Sequence, residues 1–393
     1  VGRRDQLVDA VGDPRRSLPD RPATDGAAMT LEHHSTFATV RDQWNELARA
    51  VDAPPFLRPA WFEAWWTAFG SGSLDIVALR RDGRLAAVLP LSRRLGVVRS
   101  LSNWHQPEFA IVARDAAARQ ALADALLRTS RAPISLRVVD AQGADVEALR
   151  SAAEAATARL QTRVQLRSPY LDIDGDWAGF QTALSGETYR NIRRRRRRLS
   201  ERGELVGRIE DRWERFDDAL GAGFGLEGSG WKRDAGTAIT SDPATHAFYT
   251  QIARWAADRG WLRMAWLYLD GAPIAWDLMF EHAGVMYALK GGYDTTYRSF
   301  GPGHLLTADI VAHCFAHGLR RLDFLGDTSQ YKRVWTPTAR EMTAIELFPR
   351  STAGTVGLVS YRYGRPMAKR ARDYATGHDA PWRRLAGRHG ARA

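Results

Sequence analysis

The chain holds a single cysteine, Cys314, in 393 residues, so it can close no internal disulfide. So few thiols suit a reducing compartment. Cys314 itself stands in an apolar helical run and reads as a buried free thiol. No uninterrupted apolar stretch reaches the ~18 residues of a membrane helix, and no hydrophobic leader opens the chain. The expectation is a cytoplasmic protein with no integral membrane segment. A zinc-protease signature is missing too: His313 and His317 share a helix face, but no Glu follows His313. His33-His34 lies in a polar segment, and no metal is expected. No Ser-His-Asp or Cys-His pattern marks a covalent nucleophile, which leaves direct group transfer open.

What is present argues for a folded, basic enzyme-sized chain. An apolar content of 45% with 14 Trp supports two domains with real cores. The formal net charge of +11 invites a polyanion. The excess is uneven, concentrated in Arg193–Arg198 and after Arg362.

Residues 1–28 lack periodicity and are expected to form a disordered extension, with Met29 a candidate translation start and order beginning near Phe37. Helical spacing follows over 40–48 and 59–69, the second entered by Pro59 and left by Gly70. Its Trp61, Trp65 and Trp66 read as packing residues. Asp82-Gly83 turns a hairpin. A helix is expected over 116–127, a strand over 134–139, an Ala-rich helix over 146–160, and short strands at 164–166 and 170–173. Residues 29–173 thus form a first α/β unit.

The second unit is expected over 174–350. Asp176 can cap a helix, and the next helix carries Arg193 to Arg198. Six arginines span more than one helical turn, so they cannot all face one partner. Ile192 and Leu199 are the inward anchors. A strand over 204–209, helices over 213–226 and 245–259, a hairpin at Asp270-Gly271 and a strand over 285–290 follow. Residues 351–393 read as a basic, partly helical tail.

Arg298-Ser299-Phe300-Gly301-Pro302-Gly303 then sits between the strand ending at Lys290-Gly291 and a helix. A loop entering a helix turns backbone N–H groups outward, which suits a phosphate. Gly301 and Gly303 permit close approach, and Arg298 adds a cation. A turn that merely needs glycines is the competing account.

This Arg-x-x-Gly-x-Gly placement resembles the acyl-CoA pyrophosphate loop of GNAT-fold acyltransferases. Around it stand Leu269-Asp270-Gly271-Ala272-Pro273-Ile274-Ala275, Gly292-Tyr293-Asp294, Leu322-Asp323-Phe324-Leu325-Gly326 and Tyr331-Lys332-Arg333-Val334-Trp335. The ordered set is similar to the cellulose-biosynthesis-type or BioF2-like GNAT subfamily, related to Fem peptidyltransferases. The resemblance implies an α/β (α+β) fold of two tandem GNAT-like domains, each a mixed, mostly antiparallel sheet flanked by helices. The first, lacking the loop, would be degenerate and serve as a substrate wall. The second would bind acetyl-CoA or another acyl-CoA through Leu289, Lys290, Gly291, Arg298, Ser299, Phe300, Gly301, Pro302, Gly303 and His304.

The resemblance also implies two strands splayed at Ala288 to Gly292 and Asp323 to Leu325. Asp323 is then the first choice as base or acceptor-orienting acid. Asp277 and Glu281 lie two pleat repeats apart on one face, and Asp277 can supply a second carboxylate. Tyr293 or Tyr297 can protonate the leaving thiolate. Trp231, Tyr293, Lys332 and Arg333 are candidates for substrate binding. The acceptor would be a small molecule or a cell-envelope or polysaccharide precursor, acylated on N or O by direct attack on the thioester. Two alternatives stand beside this reading. One is a Fem-like transferase taking its donor from charged tRNA, with Arg193–Arg198 on the polyanion. The other is a non-enzymatic polyanion binder.

Overall fold

The computed structural model describes residues 29–184, 186–229, 236 and 238–364. Strand β1 (Met29–His34) leads to helices α1 (Arg41–Ala50) and α2 (Pro59–Phe69), then to β2 (Ser73–Arg81), β3 (Arg84–Arg94), β4 (Val97–Ser100) and β5 (Val112–Ala113). Helix α3 (Ala116–Thr129), β6 (Ile134–Asp140), α4 (Ala144–Ala155) and β7 (Arg159–Asp172) complete the first half. The second opens with α5 (Trp177–Ala183), α6 (Gly186–Ser200), β8 (Leu205–Glu210), α7 (Phe216–Glu227) and α8 (Pro243–Asp258). It continues through β9 (Leu262–Leu269), β10 (Ala272–His282), β11 (Val285–Tyr293), α9 (Pro302–Ala316), β12 (Arg321–Asp323), α10 (Gln330–Arg333), β13 (Ala339–Phe348) and α11 (Thr352–Val359).

Local chemistry sets many of these boundaries. Asp82-Gly83 and Asp270-Gly271 take positive φ, 51° and 76° in the first pair and 49° and 78° in the second, as tight hairpins require. Asp176 accepts the Gly179 N–H at 2.6 Å, and Asp242 accepts that of Thr245 at 2.9 Å ahead of Pro243. Each satisfies a helix-start donor. Trp61 and Trp65 are buried, their indole N–H groups donating to Gln106 at 2.7 Å and Asn103 at 3.0 Å. These tryptophans pack the core.

The strands join in one sheet in the order β1-β2-β3-β4-β6-β13-β7-β12-β11-β10-β9-β8, with β5 beside β3. Its two halves repeat one plan. Four strands meander antiparallel, β1 to β4 and β8 to β11; a helix, α3 or α9, crosses over; β6 or β12 then lies parallel to β4 or β11. Parallel neighbours need such a crossover. The last strand of each half is exchanged: β7 pairs with β12, β13 pairs with β6, and β7 and β13 pair with each other. The chain is therefore α/β with a mixed, mostly antiparallel sheet flanked by helices, the fold class read from its sequence. The sheet is continuous, so strand pairing itself marks no break at 173/174.

Several elements differ from expectation. Order begins at β1, ahead of Phe37, because Met29–His34 pairs along β2. The helix expected to reach 160 ends at Ala155, and Thr157 takes φ of 51° in the turn that follows. Residues 159–172 then form one strand instead of two short ones, since β13 pairs along its first eleven residues. Strand β13 itself was not foreseen. The expected extension over 1–28 lies outside the described residues, as does the tail beyond Gly364.

Helix α9 buries Leu305, Leu306, Ile310, Val311 and Cys314 against Met279, Met286 and Phe300. Burial pushes the Cys314 thiol up to about 12, as an inert structural cysteine requires. This packing fixes the start of α9 beside the end of β11.

Candidate functional site

Strands β11 and β12 pair only through Val285/Arg321, Met286/Leu322 and Tyr287/Asp323. Beyond that point β11 runs on to Tyr293, paired with β10 alone. The register against β10 also slips: Leu278 faces Lys290 while Met279 faces Ala288, leaving Leu289 as an extra residue. Such a bulge bends a strand and re-aims its groups. The two strands therefore part where the resemblance implied a splay. A cavity of about 490 Å³ fills the gap, walled by residues 288–293, by Leu306, Thr307 and Ile310 of α9, and by Leu322, Phe324 and Tyr331. Leu289, Lys290, Gly291, Tyr293, Gly303 and Lys332 of the expected site all line it.

Asp277 enters the same cavity from β10. It is paired across the ladder with Gly291, and a Cβ on Gly291 would lie 1.5 Å from Asp277 Oδ1. Only glycine leaves room for that carboxylate. At Gly292 a Cβ would lie 2.4 Å from the Glu227 Cα, so the end of α7 presses directly on the strand. The Ser229 hydroxyl, next along, donates to the Tyr293 carbonyl.

Tyr331 was missing from the sequence-derived site. Its hydroxyl donates to the Gly303 carbonyl at 3.2 Å and shares a hydrogen bond with the Thr307 hydroxyl. Burial pushes its pKa up, and the Asp277 carboxylate adds to the effect. The phenol thus stays protonated beside the carboxylate. Lys332 donates from Nζ to the carbonyls of Leu325 at 2.6 Å and Asp327 at 3.2 Å, bracing the loop that closes the cavity. The sequence signal for Tyr331 is its place in the Tyr-Lys-Arg segment, whose two cations alone suggest an anion.

The expected phosphate loop is folded as a 3-10 turn over Thr295–Phe300, with Gly301 at φ 61° and Pro302 at the first position of α9. The Gly301 N–H donates to the Arg298 carbonyl, and the His304 N–H to the Gly301 carbonyl, both at 3.0 Å. Pro302 has no N–H to offer. Arg298 and Ser299 are exposed, whereas Phe300 is buried beneath the guanidinium groups of Arg198 and Arg202, 5.4 and 5.0 Å from its ring. His304 lines a neighbouring cavity beside Tyr331 and not the central one, and burial, reinforced by Arg195, lowers its pKa to about 4.

Asp323 lies on the opposite face of β12 from the cavity. Leu322 and Phe324 line the central cavity, while Asp323 lines another, of about 200 Å³, with Tyr287, Glu108 and Arg340. There it accepts from Arg340 Nη2 at 2.6 Å and from the Leu325 N–H at 3.0 Å. Arg340 also donates to Glu108 at 2.8 Å. Burial raises the pKa of both acids. Glu281 pairs with Arg263 at 3.0 Å, Tyr297 packs half-buried on the core, and Arg333 is exposed. The structure does not bring these groups to Asp277. Trp231 lies outside the described residues. Among the described residues no group of three or more His, Cys, Asp or Glu stands together as a metal site, and no helix is long and apolar enough to cross a membrane.

Residues 186–333 match the family model described as the Acetyltransferase (GNAT) domain. The matched segment holds the parted strands, Asp277, Tyr331 and the start of α9. No curated protein sequence matches the chain. Among solved structures, FemX superposes with a TM-score of 0.53 at 12% identity, over 77% of this chain and 95% of its own. A conserved protein of unknown function from Bacteroides thetaiotaomicron gives 0.53 at 8%, over 81% and 99%. The C-terminal domain assigned to a lysylphosphatidylglycerol synthetase of Agrobacterium fabrum gives 0.50 at 11%, over 83% and 97%. At these identities the likeness is one of fold. The domain match supports acyl transfer in general terms.

Proposed function

We propose that this protein is an acyl-CoA-dependent acyltransferase whose reaction takes place in the cavity between β11 and β12. The observation that carries the reading is the open edge of β11 over residues 288–293, bulged at Leu289 and facing Asp277 and Tyr331 across one space. Backbone N–H groups on the β12-facing side of such a strand can hold the carbonyl oxygen of a thioester as it becomes an oxyanion. Asp277 accepts the proton of an amine or hydroxyl acceptor as the acceptor bonds to the carbonyl carbon. Tyr331 or Tyr293 returns a proton to the sulfur as the carbon–sulfur bond breaks. No covalent enzyme intermediate is needed. The Asp323 assignment is replaced by Asp277, because Asp323 is held by Arg340 on the other face.

The direct test is release of free thiol from acetyl-CoA and a longer acyl-CoA, in the presence of a panel of amine and hydroxyl acceptors. Asp277→Asn is expected to lower the rate about 100-fold or more without lowering the melting temperature. Undiminished release in that variant would reject the role given to Asp277.

A Fem-like reading, with the acyl group carried by tRNA, is favoured by one feature. Arg190, Arg193, Arg194 and Arg197 line an exposed groove of about 470 Å³ on α6, and guanidinium groups suit a phosphodiester backbone. Under that reading thiol release would be absent and deacylation of charged tRNA would appear in its place.

A further inference from the structure

A second cavity, of about 400 Å³, adjoins the central one, and Tyr331 lines both. Its other polar walls are Thr188, Asn191 and Arg195 of α6, His304 of α9 and Gln330 of α10. The arginine run divides sharply around it. Arg196 pairs with Asp309 at 2.5 Å, Arg198 lies over Phe300 and Arg193 over Tyr189. Arg194 donates to Asn191 at 3.0 Å, and Arg197 faces Glu201 at 3.7 Å. Arg195 makes no hydrogen bond, ion pair or ring contact among the described residues, and it alone of the six lines this cavity.

Its guanidinium sits against the backbone at Gly301. A Cβ on Gly301 would meet Arg195 Nη1 at 2.6 Å, and φ of 61° there already disfavours any other residue. The guanidinium therefore rests against the bare Cα of the glycine, close enough to His304 to act on its ionisation. The loop below supplies little positive charge of its own. Arg298 is exposed and lines none of the cavities described above, Pro302 lacks an N–H, and the Gly301 and His304 N–H groups serve neighbouring carbonyls.

We propose that the cavity between α6 and α9 is the phosphate subsite for the acyl donor, with Arg195 as its cation. This rests on the acyl-transfer reading above. A planar guanidinium meets phosphate oxygens in a fork, with shorter and stronger hydrogen bonds than neutral donors give. The asparagine amide and the neutral imidazole can each add a donor without adding charge. Tyr331 stands between the two spaces, so a donor can lay its acyl end beside Asp277 and its phosphate beside Arg195. Two donors share this chemistry: the diphosphate of a CoA thioester and the phosphodiester at the 3′ end of an aminoacylated RNA.

The experiment is calorimetric titration of the full chain with pyrophosphate, CoA and a CCA-ended RNA minihelix at fixed low salt. Wild type is compared with Arg195→Gln, Arg128→Gln and Arg298→Gln, each checked for an unchanged melting temperature. Arg195→Gln is expected to weaken the bound phosphate ligand about 10-fold or more, with Arg195→Lys partly restoring it. Arg128→Gln, an exposed arginine in the last turn of α3, is expected to stay within about 2-fold. Dependence on Arg195 for CoA would assign the phosphate to a thioester donor, and dependence for the minihelix alone would assign it to RNA; either supports the subsite. Equal losses in Arg195→Gln and Arg128→Gln, a loss confined to Arg298→Gln, or no binding of any probe would overturn it. Thiol release separates the two claims. Release that persists without Arg195 dependence overturns the subsite alone, and Arg195-dependent binding of pyrophosphate or CoA with no acyl transfer overturns the acyl-transfer reading alone.

Discussion

Asp277 and Gly291 act as one unit, since the carboxylate occupies the place a side chain at 291 would take. Gly291→Ala is therefore expected to lower activity at least as much as Asp277→Asn, by displacing the carboxylate without removing it. A kcat loss with the fold intact by circular dichroism is the check. His105 offers a second test at this scale, on stability. It is buried, its Nδ1 lies 3.1 Å from the Tyr249 hydroxyl, and burial, aided by Lys290, lowers its pKa to about 3 from 6.5. Because the folded state disfavours the proton, His105 contributes fully above pH 6.5, and that contribution fades as pH falls toward 3. The slope is about 1.4 kcal/mol per pH unit within that window. Denaturation midpoints at pH 7, 5.5 and 4.5 should fall less steeply for His105→Gln than for wild type.

At the scale of elements, the arginine helix shows what sequence could and could not say. Ile192 and Leu199 were legible as inward anchors from their spacing, and both are buried. That six consecutive arginines must divide among partners was legible too. Which one meets which partner depends on α9, which no local pattern reveals. Arg196→Ala should cost about 1 kcal/mol through loss of the half-exposed pair with Asp309, whereas Arg194→Ala should cost almost nothing. Chemical denaturation of both variants reads the difference. The hairpins at Asp82-Gly83 and Asp270-Gly271 were equally legible, because turn chemistry is local. Strand β12 was legible as a strand, but the side on which Asp323 emerges follows from the pleat and its pairing with β11. Tyr331 was hidden for a related reason: its hydroxyl reaches Thr307 and Gly303 only after α10 folds back against α9.

For the whole molecule, the exchanged strands tie the halves together. Residues 339–348 fall inside the second unit expected over 174–350, yet as β13 they are seated between β6 and β7. The largest apolar core likewise runs through both halves, with Trp61 against Phe248 and Phe56 against Tyr287 at ring distances of 5.2 and 5.3 Å. Arg58, buried beside Trp261, joins His282 at 3.0 Å across the same junction. Thermal unfolding should accordingly be one transition, and Ile345→Pro in β13 should destabilise both halves at once through a lost ladder bond. Separate transitions by calorimetry would contradict that coupling. The central claim, acyl transfer beside Asp277, meets its most direct test in thiol release from acetyl-CoA and a longer acyl-CoA, measured with their binding in wild type and Asp277→Asn. Saturable binding by both proteins, with release lost about 100-fold in the variant alone, is the predicted result. No saturable binding, or equal release from both, would contradict it.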